Sequence, residues 1–336
     1  RAAQQLIRNA VDVIYLANGG VTLDDLSKLV AEAPRSKKEA QSEEWLQTSY
    51  CAKCFAKAVA NIEAAKDAGQ DVTRRTHDCV TAEQYFSSEW AELGDKTRGS
   101  IVATFSSVAD VLSHGVAWEL LSTTTNLVPE TTFMDGAIII LDMPVQQYRQ
   151  IGRLVQGIFK YAFQRAVLQR DWKQHPRPVF LWADEAQNFV SSYDEIYQSA
   201  VREHRGCTVY LTQNVSNYYS VLGRQNADAV TAILGNLQTQ VFHANSDSRT
   251  NTYAAELIGK TIVMSQGHSG QSVFNGGGVT ISENEAERYK VMPVEFTTLR
   301  RGGPDNGMQT EAVIFRGGNV WNATGDTYLP VVFRQG

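Results

Sequence analysis

Two carboxylates stand side by side in RPVFLWADEAQNF, positions 177–189, directly after an apolar run. Val179, Phe180, Leu181, Trp182 and Ala183 favour β structure, so the run predicts a buried strand that delivers Asp184 and Glu185 to its carboxyl end. An acidic pair at such an edge suits nucleotide hydrolysis. The first carboxylate holds Mg²⁺ through water, and the second takes a proton from the water that attacks a γ-phosphate. The same pair also suits the first turn of a helix, where acids meet the positive end of the dipole. A second run, CTVYLTQN, ends in Gln213 and Asn214. A neutral amide there can bond the γ-phosphate or its water and report its presence, although a polar turn residue after any strand looks alike. Between the two runs, AVREHRG holds Arg202 and Arg205. These either reach a phosphate in a neighbouring subunit or end a helix as solvated cations.

A nucleotide site also needs a cradle for its phosphates. The stretch AAELIGKT, positions 254–261, fits the loose form of the phosphate-loop pattern. It is built of helix formers with its glycine at the end, and strand-like Ile262-Val263-Met264 follows. Gly259 therefore reads as a helix C-cap with Lys260 beside it. The other candidate, GDKTRGS at 94–100, has no strand before it and the wrong spacing. A C-x-x-C pair at Cys51 and Cys54, with His77 and Cys79 downstream, has one half of a zinc pattern without a clean second half; core-facing helical thiols are the alternative.

The elements that must position these groups follow from periodicity. Positions 1 to about 121 have the spacing of helices, with AAQQLIRNAVDVIYLA closing on Gly19-Gly20 and Thr22 capping TLDDLSKLVAEA, which Pro34 ends. Further helices are expected in SEEWLQTSYCAKCFAKAVANIEAAKDAG, in TAEQYFSSEWAELG and from Ser100 to about Ser122. A strand is expected at Ala137–Leu141, AIIIL, then a long helix from about Val145 to Arg170. Strands VFLWA, CTVYLT and TQVFHA then alternate with helices. Four such alternations predict an α/β fold with parallel strands joined by crossovers and helices on each face. The chain accordingly divides into an all-helical domain, 1–130, and an α/β domain, 131–336. Beyond 261 the α/β part carries a Gly-rich loop around Asn275 and added hairpin or edge strands.

Net charge is −5, which argues against whole-surface attraction to phosphate backbones while leaving room for a local basic lining. No window of about eighteen apolar residues could span a bilayer, so the polypeptide as given is expected to be soluble. Its four cysteines fit a reducing cytoplasm better than a disulfide framework. The chain starts at Arg1 without Met or signal pattern and is expected to be a fragment.

Taken together, RPVFLWADEAQNF, TVYLTQN, LGNLQTQVFHAN with AAELIG, GDKTRGSI, TTTN and MPVEFTTLRRGG resemble the type IV secretion coupling proteins of the TraG/TraD kind, conjugative DNA-transfer ATPases. The resemblance spans nearly the whole chain and is strongest from Leu93 to Lys260. It implies an ATP-driven, RecA-like P-loop NTPase-type motor with the all-helical domain as an insertion, acting as a homo-hexamer at the cytoplasmic face of the bacterial inner membrane. Such a motor passes single- or double-stranded DNA, relaxase or relaxosome proteins, or secreted effectors to a type IV secretion channel. By the same likeness Asp184 and Glu185 are the Walker B pair on Mg²⁺ and ATP, Gln213 is the sensor, and Arg202 is the finger acting in trans, with Arg205 as its stand-in. The membrane segments and Walker A loop that the family carries would lie before Arg1, so ATPase activity is expected of the parent protein rather than of this piece. The alternative is a non-catalytic module that recognises substrates or partners in the same system, with the helical half docking them.

Overall fold

The computed structural model describes residues 1–270 and 279–336. The Gly-rich loop around Asn275 lies outside the described residues. The chain divides into two compact units, one of residues 1–128 with 148–151 and one of residues 129–147 with 152–336.

The first unit is helical. Its helices are α1 (Ala2–Asn18), α2 (Leu23–Ala31), α3 (Lys37–Ala40), α4 (Glu43–Thr48), α5 (Tyr50–Asp67), α6 (Thr73–Gln84), α7 (Asp95–Leu112) and α8 (Gly115–Leu121), with a π turn at Tyr85–Trp90. α1 ends because Gly19 takes a left-handed φ of 74° and its N–H returns to the Tyr15 carbonyl. α2 starts on a reciprocal capping box: the Thr22 hydroxyl accepts from Asp25 N–H, and the Asp25 carboxylate accepts from Thr22 N–H. Leu6, Ala10, Val13, Ile14 and Ala17 recur at helical spacing and face Leu29 of α2, Cys51, Cys54 and Ala58 of α5, and Phe86 and Trp90 of the π turn. The thiols of Cys51, Cys54 and Cys79 are therefore core groups, and burial pushes all three above the usual thiol range. His77 is exposed, and among the described residues no three metal-ligating side chains converge. The helix expected over 100–122 is two helices, bent by 91° between α7 and α8. Within GDKTRGS, Gly94 is the N-cap of α7 and the buried Arg98 donates to the carbonyls of Arg35 at 2.9 Å and Leu93 at 2.6 Å. That motif is a clasp between turns.

The second unit mixes helix and sheet and is only partly parallel. It contains α9 (Thr131–Met134), most of α10 (Val145–Gln169, interrupted at Arg149), α11 (Tyr193–Ala200), α12 (Ser216–Leu222), α13 (Ala227–Asn236), α14 (Ser248–Ile258) and α15 (Glu295–Thr298). Strand β1 (Val179–Ala183) pairs in parallel with β2 (Gly206–Tyr210). β3 (Thr239–His243) does not join them. It pairs antiparallel with β6 (Gln309–Arg316), which pairs antiparallel with β7 (Tyr328–Arg334), and β4 (Lys260–Gly270) forms a hairpin with β5 (Val279–Tyr289). The uniformly parallel alternation expected from the sequence is thus confined to one strand pair; an apolar strand sequence specifies burial, not the direction of its neighbour.

The strand expected at Ala137–Leu141 is absent. No described strand supplies a ladder for it, and Ile138 and Ile140 stand 90% and 83% exposed. The outer face of β1 is likewise open, with Phe180 and Trp182 exposed, while Val179 and Ala183 turn inward. Behind β1 and β2 lie Phe163 and Val167 of α10 with Tyr197 of α11, and Val190, Tyr218 and Ile233 close the carboxyl end. α14 packs Ala254, Ala255 and Ile258 on Phe242 of β3 and on Phe296. It ends at Ile258 with Gly259 as its C-cap, and β4 starts at Lys260, so AAELIGKT is a helix end and a strand start. Among the described residues no single helix is long and apolar enough to cross a membrane.

Candidate functional site at the carboxyl edge of the parallel pair

Parallel register sets the site. Ala183 pairs with Tyr210, so the residues that follow each strand leave from the same edge. Backbone bonds carry the ladder one step further: Leu211 N–H donates to the Ala183 carbonyl at 3.0 Å, and Ala186 N–H to the Leu211 carbonyl at 2.8 Å. Between these bonds Glu185 adopts φ 50° and ψ 46°, a left-handed conformation that costs a non-glycine residue about 1 kcal/mol. The conformation is held from all sides. Asp184 Oδ1 accepts from Glu185 N–H at 2.9 Å, Gln213 Nε2 donates to Glu185 Oε1 at 3.1 Å, and the Gln187 amide donates to Glu185 Oε2. The Thr212 hydroxyl in turn donates to Gln187 Oε1 at 2.8 Å. The result is a half-buried carboxylate flanked by two amides, beside an exposed Asp184 and an exposed Gln213.

Asn214 turns away from this cluster. Its Oδ1 accepts from Asn217 N–H at 2.9 Å, an N-terminal brace for α12. The turn carrying Gln213 is fastened to the start of α14. Asn245 Nδ2 donates to the Gln213 carbonyl at 2.7 Å, and Val215 N–H donates to Thr250 Oγ1 at 2.9 Å. Asp247, which accepts from Ser216 and Thr250, completes the tie; burial pushes its carboxyl up, but these bonds outweigh it and hold the group low.

Behind the rim lies a buried polar network. Asp194, fully buried, accepts from Lys160 Nζ at 2.5 and 2.6 Å, from Gln164 Nε2 at 2.8 Å, from Ser191 N–H at 2.7 Å and from the Tyr210 hydroxyl. Burial pushes the Asp194 carboxyl up, yet the ammonium and the other donors prevail and hold it below the usual carboxylate range. At Lys160, which has one anionic partner, burial prevails and lowers the ammonium. The network joins α10, the turn after Glu185, α11 and the last residue of β2. Sequence reasoning missed it, although Lys160 and Gln164 fall on the same helical stripe as Phe163 and Val167. Gln187 and Thr212 were also missed, and only their nearness to Glu185 and Gln213 could have marked them.

Arg202 and Arg205 lie elsewhere. α11 ends in a Schellman turn, with Gly206 N–H on the Val201 carbonyl and Arg205 N–H on the Arg202 carbonyl, and β2 begins at Gly206. Both arginines therefore sit at the amino edge, opposite Glu185 and Gln213. Arg205 donates from Nη1 to the Pro176 carbonyl at 3.0 Å and stacks on Trp172 with 5.1 Å to the ring centroid. Arg202 is exposed and its side chain makes no hydrogen bond or ion pair among the described residues.

The chain is similar to known proteins in two ways. Residues 178–300, which include the whole rim, match the protein family described as the TraM recognition site of TraD and TraG. In fold, the chain is similar to the bacterial conjugative coupling protein TrwBdeltaN70 in its unbound form, with a TM-score of 0.50 at 11% identity over 98% of this chain and 61% of that one. It is also similar to TrwB in complex with a non-hydrolysable GTP analogue, with a TM-score of 0.49 at 14% identity over 98% and 68%. No curated protein sequence matches. In fold, the chain is thus similar to a conjugative coupling protein. Residues 178–300 carry the pattern of the TraD and TraG family, and the resemblance to type IV coupling proteins that the sequence carries is shown. The chain spans 61% of the length of the TrwBdeltaN70 structure.

Proposed function

We propose that this chain is the cytoplasmic part of an ATP-driven coupling protein that recruits DNA or relaxase-bound substrates and passes them to a type IV secretion channel. One observation carries the proposal: the Glu185 carboxylate and the Gln213 amide, 28 positions apart, meet at 3.1 Å on the exposed carboxyl edge of adjacent parallel strands. In this role Glu185 accepts the proton of the attacking water, and Gln213, now on Glu185, exchanges that bond for the γ-phosphate or the water. Asp184 suits Mg²⁺ held through water: it is exposed, and only its Oδ1 is engaged, by Glu185 N–H. When bound, Mg²⁺ would neutralise charge on the β- and γ-phosphates. The second unit would be the carboxyl-terminal part of a RecA-like nucleotide domain, 131–336, and residues 1–130 its all-helical insertion.

Of the two arginines, Arg202 suits action in trans within a hexamer, because its side chain is free among the described residues where Arg205 is pinned on Trp172 and Pro176. Neither AAELIGKT nor GDKTRGS forms a phosphate cradle, so the backbone donors and lysine that hold a triphosphate are not supplied by these stretches. ATP binding by this chain alone is therefore expected to be weak and its hydrolysis negligible; robust turnover that depends on Asp184 would refute this. In the full-length protein, Glu185→Gln should abolish transfer while Mg·ATP binding survives. Transfer at the wild-type rate would remove Glu185 from the mechanism.

A second reading, partner recognition, is favoured by the description of the matched family, which names a TraM recognition site. That match lies on 178–300, so a relaxosome component such as a TraM-type protein would dock on the α/β unit rather than on the helical one. Pull-downs with residues 1–130 and with the whole chain separate the two placements.

A further inference from the structure

The amino edge of β1 and β2, opposite the rim, carries a cavity of about 430 Å³ whose walls include Arg177, Arg205, His175 and Phe133. Arg177 is exposed at this cavity, whereas Arg205 and Arg170 are held by neighbouring groups. Gly136, at φ 78°, lets the Arg177 guanidinium lie against the backbone: a Cβ at Gly136 would come within 1.5 Å of Arg177 Nη1. Arg205 is fixed by Trp172 and the Pro176 carbonyl. Its own backbone is in the left-handed region at φ 53°, the position of a Schellman turn that glycine normally fills. An arginine at this position carries a conformational cost that glycine would not. Behind them the buried Arg170 stacks on Phe133 at 5.3 Å and is satisfied by carbonyls alone, donating to those of Arg177 at 2.8 Å and His204 at 3.1 Å.

Among the described residues none of the three arginines forms an ion pair with a carboxylate. Glu130, Asp135, Asp171 and Glu203 are the acids nearest in sequence to the cavity residues, and none of them makes an ion pair there. The Arg177 guanidinium donates no hydrogen bond among the described residues either. A cavity with two forked donors in front and a third fixed cation behind selects a compact, multiply charged oxyanion.

We propose that this cavity is a phosphate-binding site, with Arg177 and Arg205 as direct ligands and Arg170 as a fixed positive charge behind them, taking the phosphate group of a nucleotide or of a nucleic-acid strand. It is separate from the carboxyl-edge rim and stands whether or not that rim hydrolyses ATP. The test titrates the purified chain with inorganic phosphate by calorimetry and with a labelled oligothymidylate by fluorescence anisotropy. The variants are Arg205→Gly and Arg177→Gln. Arg205→Gly removes the guanidinium while giving the left-handed position the residue it favours, and the urea unfolding midpoint of each variant shows that it is folded before its binding is read. Each variant should weaken whichever probe binds by about tenfold. The salt dependence of oligonucleotide binding should fall by about one unit of slope per arginine removed. Binding of both probes assigns the site to the phosphate group itself, and binding of the oligonucleotide alone assigns it to a strand. Failure of both probes to bind, or folded variants that bind as the parent does, overturns the proposal.

Discussion

Replacing Lys160 by Met puts the buried network behind the rim to a direct test. Lys160 is 6% exposed and Asp194 0%, and the ammonium contacts both carboxylate oxygens. Removing it leaves a buried carboxylate with Gln164, Ser191 and Tyr210 as neutral donors only. Loss of one partner of a buried pair costs about 3–5 kcal/mol. With a urea slope of about 2 kcal/mol/M, the unfolding midpoint should fall by roughly 2 M. Asp194→Asn should cost a similar amount by stranding the ammonium. The double variant Lys160→Met/Asp194→Asn should recover at least about 1 kcal/mol of the summed losses, because neither charge is then left unpaired. Urea unfolding of the three variants, followed by tryptophan fluorescence, reads these values. Single variants within about 0.5 kcal/mol of the parent would refute the picture of an essential buried pair. The sign of the pH dependence follows from the depressed Asp194 group. Its stabilisation is complete above the ordinary aspartate value of about 3.9 and is lost as pH falls through the lower, folded-state value. Asp194→Asn should flatten that acid limb.

Other perturbations reach different parts of the chain. At Gly206 a Cβ would meet Val201 Cγ2 at 2.2 Å, so Gly206→Ala should cost about 1–3 kcal/mol by overpacking the start of β2, seen as a lowered unfolding midpoint. Thr22→Ala breaks the capping box of α2 and should cost the helical unit about 1 kcal/mol, measurable by thermal unfolding. Gln213→Ala frees Glu185 Oε1 while Gln187 still holds the other oxygen, so the chain should stay folded with stability within about 0.5 kcal/mol, as for exposed surface changes in general. A larger loss would mean that the amide serves the fold before any ligand.

Much of the local structure was legible because its causes are local. The Thr22 cap, the Gly19 stop, strands β1 and β2 and the end of α14 at Gly259 each depend on residues within one turn or one strand length. What failed was non-local. AIIIL has the composition of a strand, but a strand exists only where another offers its ladder, and here Ile138 and Ile140 are left in solvent. TQVFHA forms its strand as expected, yet its partner is β6, some seventy positions later and antiparallel. The buried Lys160 and Gln164 were hidden because a polar residue on an apolar stripe is decided by whether a distant acid meets it.

By itself the sequence determined which residues could do chemistry and at which end of which element they would stand: Asp184 and Glu185 after one strand, Gln213 after the next, Arg202 and Arg205 between them. Only the tertiary structure decided their company. Parallel register put the carboxylate and the amide within hydrogen-bonding reach, and the same register carried the arginines to the far edge, where Arg177 and Arg205 line a cavity, with Arg170 behind it, without a paired acid among the described residues. The physical reason is that side-chain direction along an element is set by local dihedral angles, whereas distance between elements is set by pairing and packing, which no short stretch of chain contains.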